Sequence, residues 1–264
     1  MFLAEDYDAY TALAKALPCE IIGFEPVEAE YDKLVAMKRP GRKYLPYFVG
    51  DGTTQTFYQC SASMVSSLFE PNIPLLAKFQ GLEGLSRVVK TSTVQTRRLD
   101  DIPETEGVDF LKLDVQGGEL LVLHGAEARL KDALVIHTEV EFVPLYKGQP
   151  LFADIDSFLR ARGFAFHTVN SSGRTFKPLI PNNDPSLALS QKLWGDAVYV
   201  RDFMTFHTLP PEALLKIAAI LHENYGAYDL AGVALEDYDR KMGTGLQMEY
   251  LLRLAEALNA PKPS

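Results

Sequence analysis

The sequence predicts an α/β fold: a doubly wound, mainly parallel sheet in residues 1 to 202, followed by a helical appendage over residues 203 to 264. Two observations carry that prediction. Short apolar runs alternate with segments of helical periodicity through the first part, the pattern of repeated βαβ units. After Asp202 the strand pattern stops and apolar residues recur at helical spacing instead. A length of 264 residues, 47% hydrophobic and 23% charged, suits one globular domain with an appendage.

The elements follow in order. Residues 7 to 17 (YDAYTALAKAL) place Tyr10, Leu13 and Leu17 on one stripe and predict a helix. Residues 20 to 24 are a strand that stops at Glu25-Pro26, and Val27 to Met37 is a helix closed by Pro40-Gly41. A strand from Tyr44 to Val49, the turn Gly50-Asp51-Gly52 and a strand from Gln55 to Gln59 come next. The stretch CSASMVSSLFEPN is a surface loop, and Val88 to Arg98, rich in Thr and Val, is extended. Val108 to Val115 is a buried strand ending in an acid, followed by Gly117-Gly118 and a helix from Glu119 to Leu130. Leu134 to Phe142 is a strand, Ala153 to Arg162 a helix, and Phe164 to Val169 and Asp196 to Arg201 are the last strands. In the tail, Pro210-Pro211-Glu212 opens a helix with proline and an acid where both are favoured. Further helical patterns cover Tyr228 to Tyr238 and Gln247 to Leu258.

The formal net charge of −9 argues against a general nucleic-acid or anionic-membrane surface, and the basic cluster Lys38, Arg39, Arg42 and Lys43 reads as a solvated loop. No apolar run approaches the roughly 18 residues of a membrane span. The N-terminal residues lack the basic and apolar regions of a secretory signal. Two cysteines, Cys19 and Cys60, are too few for a disulfide framework, so a reducing cytoplasm is expected. The five histidines are scattered singly and no Cys/His spacing suits zinc, so no metal site is expected.

Three strand ends stop at an acid: Phe24-Glu25-Pro26, Val49-Gly50-Asp51-Gly52 and Leu113-Asp114-Val115-Gln116-Gly117. In open α/β sheets ligands bind outside the carboxyl ends of the strands. A carboxylate there can accept both hydroxyls of a ribose, and an Asp beside glycines can accept from an adenine amino group. Glu25 could equally mark a structural corner. Glu139 and Glu141 alternate with Val140, so both point to one face of their strand, as substrate ligands or as a structural pair. His137 and His167 fit core positions better than bases, and Trp194, Phe142, Tyr146 and Phe152 suit either a pocket wall or the core. Gly50-Asp51-Gly52 is not a dinucleotide fingerprint, because no helix pattern follows it.

The stretches IIGFEPVEAEYDKL, YLPYFVGDGT, LDDIP before VDFLKLDVQGGELLVLHGA, HTEVEFVPLYKGQPLFADIDSFLRARGF and WGDAVYV together resemble the FkbM-type S-adenosylmethionine-dependent methyltransferases, over residues 10 to 202. The resemblance implies a Rossmann-like methyltransferase sheet and S-adenosyl-L-methionine as cofactor, with Glu25 on its ribose and Gly50 and Asp51 at its adenine. It places Asp114 to Glu119 toward the methionine and the substrate. It also implies methyl transfer to oxygen, on a hydroxyl of a small molecule or saccharide. Positioning should dominate such a transfer, with proton removal by a nearby carboxylate as a secondary contribution, Asp114 the first candidate and Glu139 the second. Such proteins open with a strand and an acidic, glycine-rich loop; MFLAEDYDA contains no glycine, so the chain is expected to start just after that loop. A dehydrogenase lacks support, since no G-x-G-x-x-G opens the chain. The alternative from another class is a non-catalytic binding or assembly module on the same fold. The apolar stripe of the tail must be covered, by the chain itself or by a second copy in a homodimer. Packing within the chain is the expectation.

Overall fold

The computed structural model describes residues 9–259. The start of the expected first helix, the segment MFLAEDYD and residues 260–264 of the tail lie outside the described residues. The first helix, α1 (Thr11–Ala16), buries Leu13 and leads into β1 (Ile21–Phe24). The next, α2 (Glu28–Ala36), has acids in its first turn and Lys33 in its last, as the helix dipole favours, and buries none of its residues. Beside β1 runs β2 (Arg42–Leu45), parallel, with Ile21 opposite Arg42 and Phe24 opposite Leu45.

The strand expected from Tyr44 to Val49 is two strands. Pro46 has no amide hydrogen for a ladder, and the chain leaves β2 at Leu45 to enter β3 (Phe48–Val49) in a different sheet. There β5 (Val88–Arg97) is central, parallel to β3 and antiparallel to β4 (Thr54–Cys60). Between β4 and β5, α3 (Ile73–Leu76) and α4 (Leu82–Leu85) bury Leu76, Phe79 and Leu82 against Leu193 in a small separate core.

The largest sheet holds β6 (Phe110–Leu113), β7 (Val135–Glu141), β8 (Phe164–Gly173) and β9 (Lys192–Arg201) in the order β6-β7-β9-β8. Parallel strands β6 and β7 are connected through α5 (Glu119–His124), which ends at Gly125, short of the expected Leu130. From β7 the chain passes through α6 (Phe152–Arg160) to β8, and β9 runs antiparallel to both of its neighbours. Three of the six strand pairings are thus antiparallel, so the sheets are mixed where a mainly parallel one was expected. Two of the three involve β9, which follows β8 after residues 174–191 and runs back between β8 and β7, and the third is β4 with β5.

The expected single doubly wound sheet is also divided. Among the described residues β1 has β2 as its one neighbour and β6 has β7. Both line one cleft of about 1040 Å³, with Ile22, Phe24, Leu111 and Leu113 in its walls.

Alternation along β7 sorts its side chains between two cores. Ile136 and Val140 face Leu123, Ile155, Leu159 and Tyr199. Val135, with Val198 and Val200, faces Leu214, Ile217 and Leu221 of α7 (Pro211–Tyr225). Proline at the first turn of α7 and Glu212 behind it are the start chemistry read from the sequence, and Gly226 in the left-handed conformation ends the helix. The tail continues as α8 (Tyr228–Met242), which shares the α7 core, and α9 (Leu246–Asn259). Among the described residues no helix is long and apolar enough to cross a membrane.

One close approach ties α5 to the turn after β3. A Cβ added at Gly125 would lie 1.9 Å from the Gly50 carbonyl oxygen, a backbone atom that cannot move aside alone. Gly125→Ala is therefore expected to lower the unfolding free energy by about 1–3 kcal/mol, the overpacking range, as measured by urea denaturation.

Candidate active site

The ends of β6 and β7 bring four carboxylates together. Leu113 pairs with Thr138, so the residues that follow, Asp114 and Glu139, are neighbours at the carboxyl edge. Gln116 joins them: its amide nitrogen donates to Asp114 Oδ1 at 3.0 Å and to Glu139 Oε2 at 2.7 Å. The two carboxylates fix the orientation of that amide, and its oxygen lies 3.0 Å from the Tyr146 hydroxyl, which is also 3.1 Å from the Val65 carbonyl. Ser67 Oγ donates to the Gln116 carbonyl at 2.6 Å and holds its backbone at φ +56°, a left-handed conformation uncommon for a residue with a side chain. Lys112 Nζ lies 3.2 Å from Asp114 Oδ2.

Glu119 and Glu141 complete the group, each 1% exposed. The Val115 amide donates to Glu119 Oε1 at 2.7 Å, which closes the loop between β6 and α5. Glu119 Oε2 and Glu141 Oε2 are both buried without a hydrogen-bond partner among the described residues. Burial pushes Glu119 up to about 7, against the pull of the Val115 amide and with the Asp114 charge adding to the rise. Burial, with Glu119 and Asp114 nearby, pushes Glu141 up to about 9. Glu139 stands well above the ordinary glutamate range for the same reasons, burial first and then the charge of Asp114.

These shifts fix a stability profile. Glu119 and Glu141 bind protons more tightly folded than unfolded, so the folded state holds more protons across the interval from about 4.5 to about 9. Stability then falls as pH rises through that interval. Thermal melts of the whole chain should show the melting temperature declining from pH 5 to pH 9. Glu141→Gln should flatten the decline.

Glu25 follows the last residue of β1, is 1% exposed and lines the cleft. Its Oε1 accepts the Val27 amide at 2.9 Å, so it also makes the corner between β1 and α2. Asp114 and Glu139 line the same cleft. Gly50 and Asp51 stand apart from it: Asp51 Oδ1 accepts the amide and the hydroxyl of Thr53, at 3.0 and 2.6 Å. Burial would raise Asp51, but those two bonds hold it below its usual value.

His137 is a fastening between sheet and tail, 3.2 Å from Asp196 Oδ1 and 3.2 Å from the Tyr225 hydroxyl of α7. Burial lowers His167, and neither histidine lines the cleft. Phe142 and Phe152 pack with each other and with Phe166 on the main core, whereas Tyr146 and Trp194 line the cleft. Sequence reasoning did not single out Gln116 within the segment Asp114 to Glu119, and it passed over Lys112, Ser67 and the loop-closing role of Glu119. The one local signal was a polar residue between an acid and two glycines, where the backbone has to turn sharply.

Among the described residues no group of three or more His, Cys, Asp or Glu is placed to hold a metal ion. In comparisons with known proteins, the family model for the methyltransferase FkbM domain matches residues 4–166, more than half of the chain. No curated protein and no solved structure matches it.

Proposed function

The chain belongs to the FkbM methyltransferase family, and from that membership we propose that it is an S-adenosylmethionine-dependent O-methyltransferase acting on a hydroxyl of a small molecule or sugar. The observation that carries the reading is the cleft itself, whose walls hold Glu25 and Asp114 just past the ends of β1 and β6 and Glu139 near the end of β7. The residues present suit such a cofactor. The volume of about 1040 Å³ is ample for a nucleoside-bearing ligand, and the buried Tyr44 hydroxyl in the cleft wall has no partner among the described residues. Glu25 would hold the ribose hydroxyls, and Asp114 the amino-acid end. When bound, S-adenosylmethionine supplies a methyl group on a sulfonium, which an oxygen nucleophile takes in line while the sulfur keeps the bonding pair.

The protein's part is positioning and proton removal. Asp114 is tied to Lys112 and Gln116, which suits it to orienting a ligand. Glu139, whose proton affinity burial raises, is better matched to taking a hydroxyl proton near neutral pH. Gln116 acts through both as a positioning residue.

Calorimetric titration with S-adenosylhomocysteine tests the cofactor. Binding is expected, and Glu25→Ala should weaken it by about 1.5–3 kcal/mol for each charge-assisted hydrogen bond removed. The open interval between β1 and β6 favours a second reading, a non-catalytic binding or assembly module. An absence of heat and of any thermal shift with S-adenosylhomocysteine would select it.

A further inference from the structure

We propose that Glu141, with Glu139 beside it, forms a subsite for a primary ammonium group, and that the hydroxyl acceptor is therefore an amine-bearing sugar or amino alcohol. The inference rests on the methyltransferase reading of the same cleft and specifies its substrate.

The geometry is that of a carboxylate with one oxygen left without a donor. Glu139 and Glu141 are two positions apart on β7, so they share a face about 7 Å apart, and both line the cleft. Glu141 is 1% exposed and its Oε2 has no partner among the described residues. The Gln149 side chain supplies a hydrogen bond to this carboxylate, which leaves Oε2 as its unanswered oxygen. A buried carboxylate oxygen without a donor is costly, and a proton relieves the charge but itself needs an acceptor. An ammonium answers both needs, since it brings the opposite charge and three N–H donors.

The charges facing the pair leave room for one more cation. Asp114 after β6, Glu119 on α5 and Asp196 on β9 add negative charge, and Tyr146 is neutral. Lys112 is engaged with Asp114. Arg174, also in the cleft wall, lies over the Trp194 ring at 5.2 Å and donates to the Gly173 carbonyl at 2.8 Å. A cation on Glu141 also has a chemical consequence. It draws the raised proton affinity of Glu139 down and leaves that carboxylate ionised, ready to accept the hydroxyl proton. The substrate would then ionise its own base.

The full chain is titrated calorimetrically with ethanolamine and glucosamine, each against a neutral counterpart, ethylene glycol and N-acetylglucosamine. The ammonium probes should bind roughly tenfold or more tightly than the neutral ones, the value of one charge-assisted hydrogen bond. Their binding should release protons, seen as a dependence of the heat on buffer ionisation enthalpy. Glu141→Gln, shown to be folded by its melting temperature, should abolish the preference. Equal binding of charged and neutral probes overturns the proposal, as does no heat from any probe at millimolar concentration. A preference that survives in Glu141→Gln overturns it too. So does complete displacement of the ammonium probe by S-adenosylhomocysteine, which would give the cation site to the cofactor's own amine. Heat from S-adenosylhomocysteine without an ammonium preference removes only this subsite. An ammonium preference without S-adenosylhomocysteine binding removes only the cofactor.

Discussion

Glu139→Gln is expected to lower turnover about 10²- to 10⁴-fold, the contribution of a positioned general base, while affinity for S-adenosylhomocysteine stays near that of the unaltered protein. Glutamine keeps the shape of the side chain and loses the basic oxygen. The contact with Gln116 can be remade only if one amide turns over, and the hydrogen bond to Asp114 opposes that in Gln116. Asp114→Asn tests the other candidate. If Asp114 orients rather than deprotonates, its loss should raise KM along with a smaller fall in kcat. Steady-state rates with an acceptor found by screening, read as separate kcat and KM, distinguish the two. Unchanged turnover in Glu139→Gln at saturating substrate would take Glu139 out of the mechanism.

Removing residues 203 to 264 is expected to leave an insoluble remainder. The first core lost is not internal to the tail: Leu214, Ile217 and Leu221 of α7 are fully buried with Val135, Val198 and Val200 of the sheet. Each of these aliphatic side chains is worth about 1.5–3 kcal/mol of burial, so their joint loss is comparable to the whole stability of an ordinary domain. The Lys216–Asp109 pair at 3.1 Å and the Leu13 amide to Asn224 at 3.0 Å go with them. Size-exclusion chromatography of the shortened chain should find aggregate. A soluble, folded monomer, with the full chain a dimer, would instead make the tail an assembly surface.

Much of the site was legible because an acid that ends an apolar run is a local signal. Glu25 and Asp114 were visible that way, Glu139 through its alternation with Val140 and Glu141, and all three line the cleft. Gln116 was not, since its position depends on a left-handed backbone and on a tyrosine thirty residues further along the chain. Asp51 carried the same signal as Glu25 but spends it on its own turn, through Thr53. Periodicity placed the strands without giving their direction, so the antiparallel course of β9 could not be read. Pro46 was in plain view, and its missing amide hydrogen is what divides the second expected strand.

The division between β1 and β6 has a thermodynamic consequence. The unit formed by β1, α2 and β2 is held to the main core mainly through Leu45, with Ile22 and Phe24 packed against it, whereas α2 buries nothing and every residue of β1 is only partly covered. With no ladder to β6 among the described residues, this unit can open while the four-stranded sheet stays closed, as a cooperative segment of low local stability. Amide hydrogen exchange should then be faster across residues 20 to 45 than along β7 and β9. Glu25 rides on that segment, so a ligand gripping it would slow exchange there first, by mass action on the closed form. The proposed ribose anchor would thus report its occupancy through the breathing of the strand that carries it.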